Sequence, residues 1–231
     1  MGVSHSPNII TDGLVFCLDI SDKNSYAGSG TQVNDLAGTD QNNTLSNSDI
    51  GTLSSGLFDF AGNASNGLTR YVALPQTIGY TTEVSFFTWF KRANNTGVAG
   101  GYHIICGPTA FEMSVIASDS GLYLRNGITI GGTRYVSNDG NTLGTGTWHN
   151  VGVTYSNYTK RAYIDGVEVG SQTCGSSGNI DHSVSARRLG RFGTSNYSTH
   201  GKLGPFHVYN RVLSNTEIAH NFNVTRVKFG V

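Results

Sequence analysis

Short runs of alternating apolar residues, separated by glycine-rich turns, constrain the fold of this chain more than any other feature. In residues 83–92, EVSFFTWFKR, apolar side chains including Trp89 fall on both faces, as in a central strand of a packed sheet. Asp165-Gly166 lies between two further runs, and a tight hairpin turn needs central residues that accept positive φ. Many short strands at a spacing of roughly 8–12 residues predict an all-β sandwich or barrel.

One segment near the C-terminus has a helical signature. Ser214 and Glu217 form a capping box, in which each side chain accepts a hydrogen bond from an otherwise unpaired backbone N–H of the first turn. Leu213 before the cap and Ile218 after it complete a hydrophobic staple. We therefore expect one short helix of about two turns that ends near Phe222.

The charge of the chain excludes two classes of partner. Its 231 residues include 15 basic and 15 acidic side chains, so the formal net charge is zero, and charged residues make up only 13 %. Such a chain lacks the basic surface that holds a polyanion, so we expect no nucleic acid as partner. No apolar run approaches the roughly 18 residues that span a bilayer, so we expect no membrane contact. The first residues lack the pattern of a signal peptide, which predicts synthesis in the cytoplasm with free thiols at the three cysteines.

Catalytic and metal-binding patterns are sparse. Glycoside hydrolysis uses a pair of carboxylates, whereas the four glutamates are scattered at Glu83, Glu112, Glu168 and Glu217. The seven histidines show no zinc-site spacing, so we predict that the protein is not an enzyme. Residues 34–49 and 138–142 are rich in Asp and Asn, which suit calcium as hard oxygen ligands. Ordinary turn chemistry explains the same residues, so both interpretations stay open, and no other cofactor is expected.

Several tyrosines stand beside glycine or polar turn residues, where an aromatic face can serve as a platform for a sugar ring. Such tyrosines also commonly cover sheet edges with the hydroxyl in water, so this interpretation and glycan binding both remain open. The candidates are Tyr26, Tyr80, Tyr102, Tyr158 and Tyr197.

Two blocks resemble the laminin-G-like (concanavalin A-like) jelly rolls. Residues 148–169, WHNVGVTYSNYTKRAYIDGVEV, are similar to the strand-hairpin signature of that family, and residues 189–218 are similar to its closing block. The resemblance implies a jelly-roll β-sandwich of two antiparallel sheets with one short C-terminal helix. It also implies structural roles for Trp89, Trp148, Asp165, Gly166, Ser214 and Glu217.

Both ends of the chain resemble laminin-G-like proteins of tailed bacteriophages. Residues 7–38 are similar to the opening of that group, with Val33 in place of its usual Trp, and residues 221–231 are similar to its ending. This resemblance implies a virion structural protein, such as a head decoration or tail-associated subunit. Its partners would be capsid or tail subunits or further copies of itself, contacted through an arm that includes Pro7, Asn8, Ile9 and Ile10.

These observations predict three regions and leave two functions open. We expect an N-terminal arm over residues 1–12, a jelly-roll domain over 13–222 and a C-terminal tail over 223–231. The leading function is that of a structural protein located in the virion. The alternative is a lectin-like adhesin that binds glycans of the host surface.

Overall fold

The structure is a computed structural model, and its description covers most of the chain. It describes residues 8–38, 42–46, 51–52, 56–60, 70–75, 78–93, 102–107, 111–118, 121–140, 143–175, 178–181, 187–192 and 199–231. The strands in these ranges are β1 (Leu14–Leu18), β2 (Gln32–Asn34), β3 (Asn42–Leu45), β4 (Gly51–Thr52), β5 (Leu57–Asp59), β6 (Val72–Ala73), β7 (Val84–Arg92), β8 (Tyr102–Gly107), β9 (Phe111–Ser118), β10 (Gly121–Ile130), β11 (Thr133–Asp139), β12 (Trp148–Ser156), β13 (Thr159–Ile164), β14 (Val167–Thr173), β15 (Arg188–Leu189) and β16 (Gly201–Tyr209). One helix, α1 (Asn215–Phe229), follows them.

The strands form two antiparallel sheets. The first has the order β14-β13-β12-β7-β16-β5-β4, with β1 also paired to β16. The second has the order β11-β10-β9-β8-β15-β6-β3-β2. The prediction of an all-β sandwich of two antiparallel sheets with one C-terminal helix is confirmed.

The hydrophobic core lies between the two sheets. In the first sheet, the register pairs Phe86 of β7 with Val153 of β12, so that both side chains point to the same face. These residues belong to one buried cluster with Val115 of β9 and Leu124 of β10 from the second sheet. Each such side chain contributes about 1.5–3 kcal/mol through the apolar surface that it removes from water.

Helix α1 begins and ends with specific caps. The predicted capping box is present: the Ser214 hydroxyl accepts from the Glu217 N–H at 3.3 Å, and the Glu217 carboxylate accepts from the Ser214 N–H at 2.8 Å. At the other end, Gly230 adopts a left-handed conformation with φ of 71°. Glycine is favoured there because it carries no Cβ.

Aromatic side chains fix the helix on the outer face of the first sheet. Trp89 of β7 stacks on Phe229 and Phe222, with ring centroids 4.3 and 5.7 Å away, and its indole N–H donates to the Thr225 hydroxyl at 3.0 Å. Trp148 of β12 meets the ring of Phe229 edge-on at 4.9 Å. Both tryptophans therefore pack against the helix through Phe229.

The end of the helix differs from the prediction. We expected it near Phe222, with residues 223–231 as a tail, but the helix continues to Phe229. Its second half covers Trp89, since Phe229 is only 8 % exposed. The segment expected to be a tail therefore contains a packed part of α1.

Candidate functional site

The turn between β12 and β13 places an aromatic side chain on the surface. Its central residues, Asn157 and Tyr158, have φ of 44° and 67°, a left-handed conformation that asparagine tolerates and that is unfavourable for tyrosine. The Cys174 N–H donates to the Tyr158 carbonyl oxygen at 2.6 Å and so holds the turn against the segment that follows β14. The Tyr158 side chain is 46 % exposed, which leaves its ring available to a ligand.

Tyr158 lines a pocket of about 250 Å³. This volume is slightly below the lower limit of about 300 Å³ for small-molecule sites, so the pocket suits a ligand of the size of a single ring. The pocket lies where the β12–β13 turn meets the segment before β7 and the loop that contains Gly178. Its lining residues are Thr82, Glu83, Tyr155, Asn157, Tyr158 and Gly178.

The lining combines one exposed aromatic ring with several kinds of polar group. Glu83 supplies a carboxylate that only accepts hydrogen bonds, Asn157 an amide that donates and accepts, and Thr82 a hydroxyl that does both. Burial raises the pKa of the Tyr155 phenol, so this hydroxyl keeps its proton at neutral pH. The pocket can therefore contact the apolar face of a ligand ring and bind hydroxyl groups around that ring.

Of the five tyrosines considered, Tyr158 has an exposed side chain in the structure. Tyr26 is 1 % exposed and its hydroxyl donates to the Gly30 carbonyl oxygen at 3.0 Å, while Tyr80 is 2 % exposed. The expectation that Tyr26 and Tyr80 offer surface platforms is wrong, because both rings pack in the core between the sheets. The side chain of Tyr102, which lies in β8, and the whole of Tyr197 are outside the described residues.

Asp165 and Gly166 form the predicted hairpin turn, between β13 and β14. Their φ values are 52° and 81°, and Ile164 pairs with Val167 across the turn. The Asp165 carboxylate also accepts from the Asn150 N–H at 2.8 Å and contacts His149 Nδ1 at 2.8 Å. Asp165 therefore ties the hairpin to the neighbouring strand β12.

The predicted N-terminal arm contacts the chain's own helix. The Asn8 carbonyl oxygen accepts from His220 Nε2 at 2.9 Å, and the Ile10 N–H donates to the Asn221 side chain at 2.8 Å. Ile10 also packs against a buried cluster on the outer face of the first sheet, and Ile9 is partly buried beside it. Pro7 lies outside the described residues, and docking of the arm on other subunits stays a prediction.

The structure adds little to the calcium interpretation. Within the described residues, no group of three or more His, Cys, Asp or Glu side chains could hold a metal ion. Parts of the loops 34–49 and 138–142 fall outside that description. In the described parts of the chain, no helix is long and apolar enough to cross a membrane.

Five residues of the pocket were missed by sequence reasoning, among them Tyr155 and Asn157, which lie close to Tyr158 in the sequence. Thr82 and Glu83 precede β7, and Gly178 follows β14, so they reach Tyr158 only through the folded sandwich. No local pattern marks them as ligand-binding residues. The one sequence feature that pointed to this pocket was Tyr158, a tyrosine in a predicted turn.

Comparison with protein families gives one match over most of the chain. The model of the concanavalin A-like lectin/glucanases superfamily matches residues 65–219. No curated protein sequence matches the chain.

Solved structures from toxins and an enzyme share the fold. The binding domain of Paraclostridial Mosquitocidal Protein 1 is 17 % identical with a TM-score of 0.64, and the match covers 92 % of this chain and 52 % of that one. The ligand-binding domain of botulinum neurotoxin serotype D, in complex with N-acetylneuraminic acid, is 16 % identical with a TM-score of 0.63 and coverages of 93 % and 51 %. Trypanosoma rangeli sialidase is 16 % identical with a TM-score of 0.65 and coverages of 93 % and 33 %.

These matches confirm the concanavalin A-like fold and correct one prediction. The chain spans about half the length of the two toxin chains and a third of the sialidase chain, and at this identity the likeness concerns the fold alone. The prediction that the protein is not an enzyme is wrong as a conclusion from the sequence, because the same fold occurs in a sialidase chain as well as in binding domains. The scattered glutamates therefore do not exclude enzymatic activity.

Proposed function

Since the chain belongs to the concanavalin A-like lectin/glucanases superfamily, we propose that it is a glycan-binding domain whose ligand packs on Tyr158. The observation that carries this proposal is the pocket itself. It joins an exposed aromatic ring to a carboxylate, an amide and hydroxyl groups within about 250 Å³. A few placed polar groups around an apolar surface are typical of small-molecule sites.

The mode of binding follows from the chemistry of the lining. A sugar ring has an apolar face of C–H groups, which packs on the Tyr158 ring and removes both surfaces from water. The hydroxyl groups at the rim of the sugar donate to the Glu83 carboxylate and exchange hydrogen bonds with the Asn157 amide and the Thr82 hydroxyl.

Two of the similar structures support a sugar as the ligand class. The botulinum neurotoxin domain is described in complex with N-acetylneuraminic acid, and the sialidase in complex with sialic acid. Both ligands are sugars with a ring that an aromatic side chain can contact. For this chain, the class of ligand rests on that likeness together with the Tyr158 pocket.

The proposal is tested by binding to a glycan array, followed by affinity measurement with the glycans that bind. We expect Tyr158→Ala to weaken the affinity by at least about tenfold, since truncating an aromatic anchor removes most of the contact surface. Val167→Ala is the matched control. Val167 is 64 % exposed and is the first residue of β14, directly after the Asp165–Gly166 turn, so it lies away from the pocket. Equal affinity of the wild type and Tyr158→Ala would contradict the proposal.

We further propose that the domain is displayed on the virion of a tailed phage, as a head decoration or tail-associated subunit. The support is the resemblance of residues 7–38 and 221–231 to the ends of phage laminin-G-like proteins. Capsid or tail subunits, or further copies of the chain, would then be its partners, and its glycan would be on the host surface. Mass spectrometry of separated heads and tails should detect the protein in one of them, and its absence from all particles would contradict this role.

A further inference from the structure

Four polar side chains meet inside the sandwich, away from the Tyr158 pocket. Lys160 comes from β13 of the first sheet, and Asn126, Ser137 and Asp139 come from β10 and β11 of the second. Lys160 is 1 % exposed and Asn126 is fully buried. A buried lysine is unusual, because removing an ammonium group from water costs free energy unless the group is paired or neutral.

The four residues form a closed ring of hydrogen bonds that passes through three side chains and through both the side chain and the main chain of Asn126. Lys160 Nζ donates to the Asn126 main-chain carbonyl oxygen at 2.8 Å and to Ser137 Oγ at 2.9 Å. Ser137 Oγ donates to Asp139 Oδ2 at 2.5 Å, and Asn126 Nδ2 donates to the same Asp139 oxygen at 2.8 Å. An amine, a hydroxyl, a carboxylate and an amide are thus linked in sequence, each within reach for proton transfer.

We propose that Lys160 and Asn126 form an intramolecular isopeptide bond that joins the two sheets covalently. The Lys160 Nζ lone pair attacks Asn126 Cγ, a new C–N bond forms between them, and the bond from Cγ to Nδ2 breaks. The proton released from Nζ passes through Ser137 Oγ to Asp139 Oδ2 and then to Nδ2, which leaves as ammonia. One amine and one primary amide give one secondary amide and ammonia, so no further reactant is needed.

The surroundings favour this reaction. Burial lowers the pKa of Lys160 to about 8, against the opposing effect of the Asp139, Cys174 and Glu112 charges. About one Lys160 side chain in ten is then uncharged and nucleophilic at pH 7. Lys160 and Asn126 are buried away from bulk water, while Ser137 and Asp139 are half-buried. The two sheets hold the amine next to Asn126, which raises the effective concentration of the two groups.

A second reaction of Asn126 also releases one ammonia, so it must be distinguished from the proposed isopeptide bond. Asn126 precedes Gly127, and attack of the Gly127 main-chain nitrogen on Asn126 Cγ would give a succinimide with loss of ammonia. Both residues lie in the middle of β10, where Gly127 is opposite Glu112 on one side and Val136 on the other. This paired backbone restrains the nitrogen, whereas Lys160 Nζ already contacts the Asn126 main-chain oxygen, next to the side chain that it would attack.

Intact-mass spectrometry of the purified full-length chain, denatured before measurement, is the first test. The proposal predicts a mass below that of the sequence by one ammonia, and a tryptic fragment in which Lys160 and Asn126 are joined. An unchanged mass would overturn it. Loss of one water, with Lys160 joined to Asp139, would overturn the assignment of Asn126 as the electrophile.

Variants separate the proposed bond from the succinimide. Lys160→Met should retain the full mass, and Asp139→Asn should slow the loss of ammonia by at least about tenfold, because the proton relay is broken. Lys202→Met is the control, since Lys202 lies in an ion pair with Asp59 near the surface, and it should lose ammonia like the wild type. Loss of ammonia that persists in Lys160→Met would identify a succinimide and overturn the proposal.

Discussion

The two turns that flank strand β13 have the same backbone conformation in opposite surroundings. Asn157–Tyr158 at one end and Asp165–Gly166 at the other both have positive φ at both central residues. The second turn is covered, since a Cβ at Gly166 would lie 3.1 Å from Phe222 of α1, and Asp165 is tied to β12. The first turn is open and presents the exposed Tyr158 ring beside a pocket.

Positive φ at the central residues does not by itself determine the role of a turn, since the two turns share it and differ in their residues and surroundings. A tight connection between twisted strands requires positive φ at both turns, and Asp-Gly meets this need at low cost. Tyrosine in the left-handed conformation costs roughly 1–2 kcal/mol. Such strain persists where the surroundings hold it and commonly marks a functional site. Under the proposed function, the open turn carries the ligand-binding side chain, while the covered turn contributes to stability.

The largest effect is expected where the helix covers the sheet. Phe229→Ala should lower the free energy of unfolding by about 3 kcal/mol, because it removes the ring that packs on Trp89 and Trp148. Chemical denaturation followed by tryptophan fluorescence measures the loss. Val227→Ala on the same helix, 81 % exposed, should change stability by less than about 0.5 kcal/mol. Equal stability of the two variants would show that residues 223–231 are a tail after all.

A smaller loss is expected at the covered turn itself. Asp165→Ala should cost about 2 kcal/mol, because the Asn150 N–H and His149 Nδ1 lose their shared carboxylate partner. Asp165→Asn keeps an acceptor oxygen and tolerates positive φ, so about half of that loss is expected. Urea denaturation of the three proteins gives the comparison. If Asp165→Ala were as stable as the wild type, the tie to β12 would contribute nothing.

Acid should weaken the cap of the helix that covers this turn. The hydrogen bond from Arg211 lowers the pKa of Glu217 from 4.5 to about 2, so its contribution is complete above pH 4.5 and is lost as the pH falls towards 2. The pair is partly exposed, so about 1 kcal/mol is expected after solvent screening.

Unfolding experiments with the wild type and Glu217→Gln at several pH values isolate this contribution. Burial lowers the pKa of His207 to about 4, so both proteins also lose stability between pH 6.5 and 4. The difference between them should shrink only below pH 4.5. A difference that stays constant down to pH 2 would contradict the assigned role of Glu217.

The smallest effect on stability is expected at the open turn. Tyr158→Ala should change the free energy of unfolding by less than about 0.5 kcal/mol, because the ring is nearly half exposed and alanine keeps the same strained conformation. Thermal and urea unfolding measure it. A loss as large as that of Asp165→Ala would mean that Tyr158 has a structural role and would remove the contrast between the turns.

Local patterns in the sequence were sufficient to predict much of the fold. The prediction of a strand over residues 83–92 corresponds to β7, and the Asp165-Gly166 turn and the cap at Ser214 were also correct. Each depends on side chains within a few positions of one another. A local pattern does not always mark a single element: residues 128–136 are strand-like in sequence, but Gly131 and Gly132 have positive φ and turn the chain between β10 and β11.

Long-range packing accounts for what could not be predicted. The second half of α1 forms because Phe229 meets Trp89, which is far away in the sequence. The short strands β2 to β4 lie in a polar stretch without alternation. β2 pairs with β3 and β4 with β5, while β3 also pairs with β6, which is far away in the sequence. The burial of Tyr26 and Lys160 and the assembly of the Tyr158 pocket likewise appear only when the two sheets meet.

Mapping of the bound glycan on the folded protein tests the central claim most directly. The isotope-labelled wild type would be titrated with a glycan that binds on the array, and backbone amide shifts would be followed by NMR. The open-turn account predicts shifts at Thr82, Glu83, Asn157, Tyr158 and Gly178, with Asp165 and Gly166 unchanged. Shifts confined to another surface, or the same shifts in Tyr158→Ala, would contradict it.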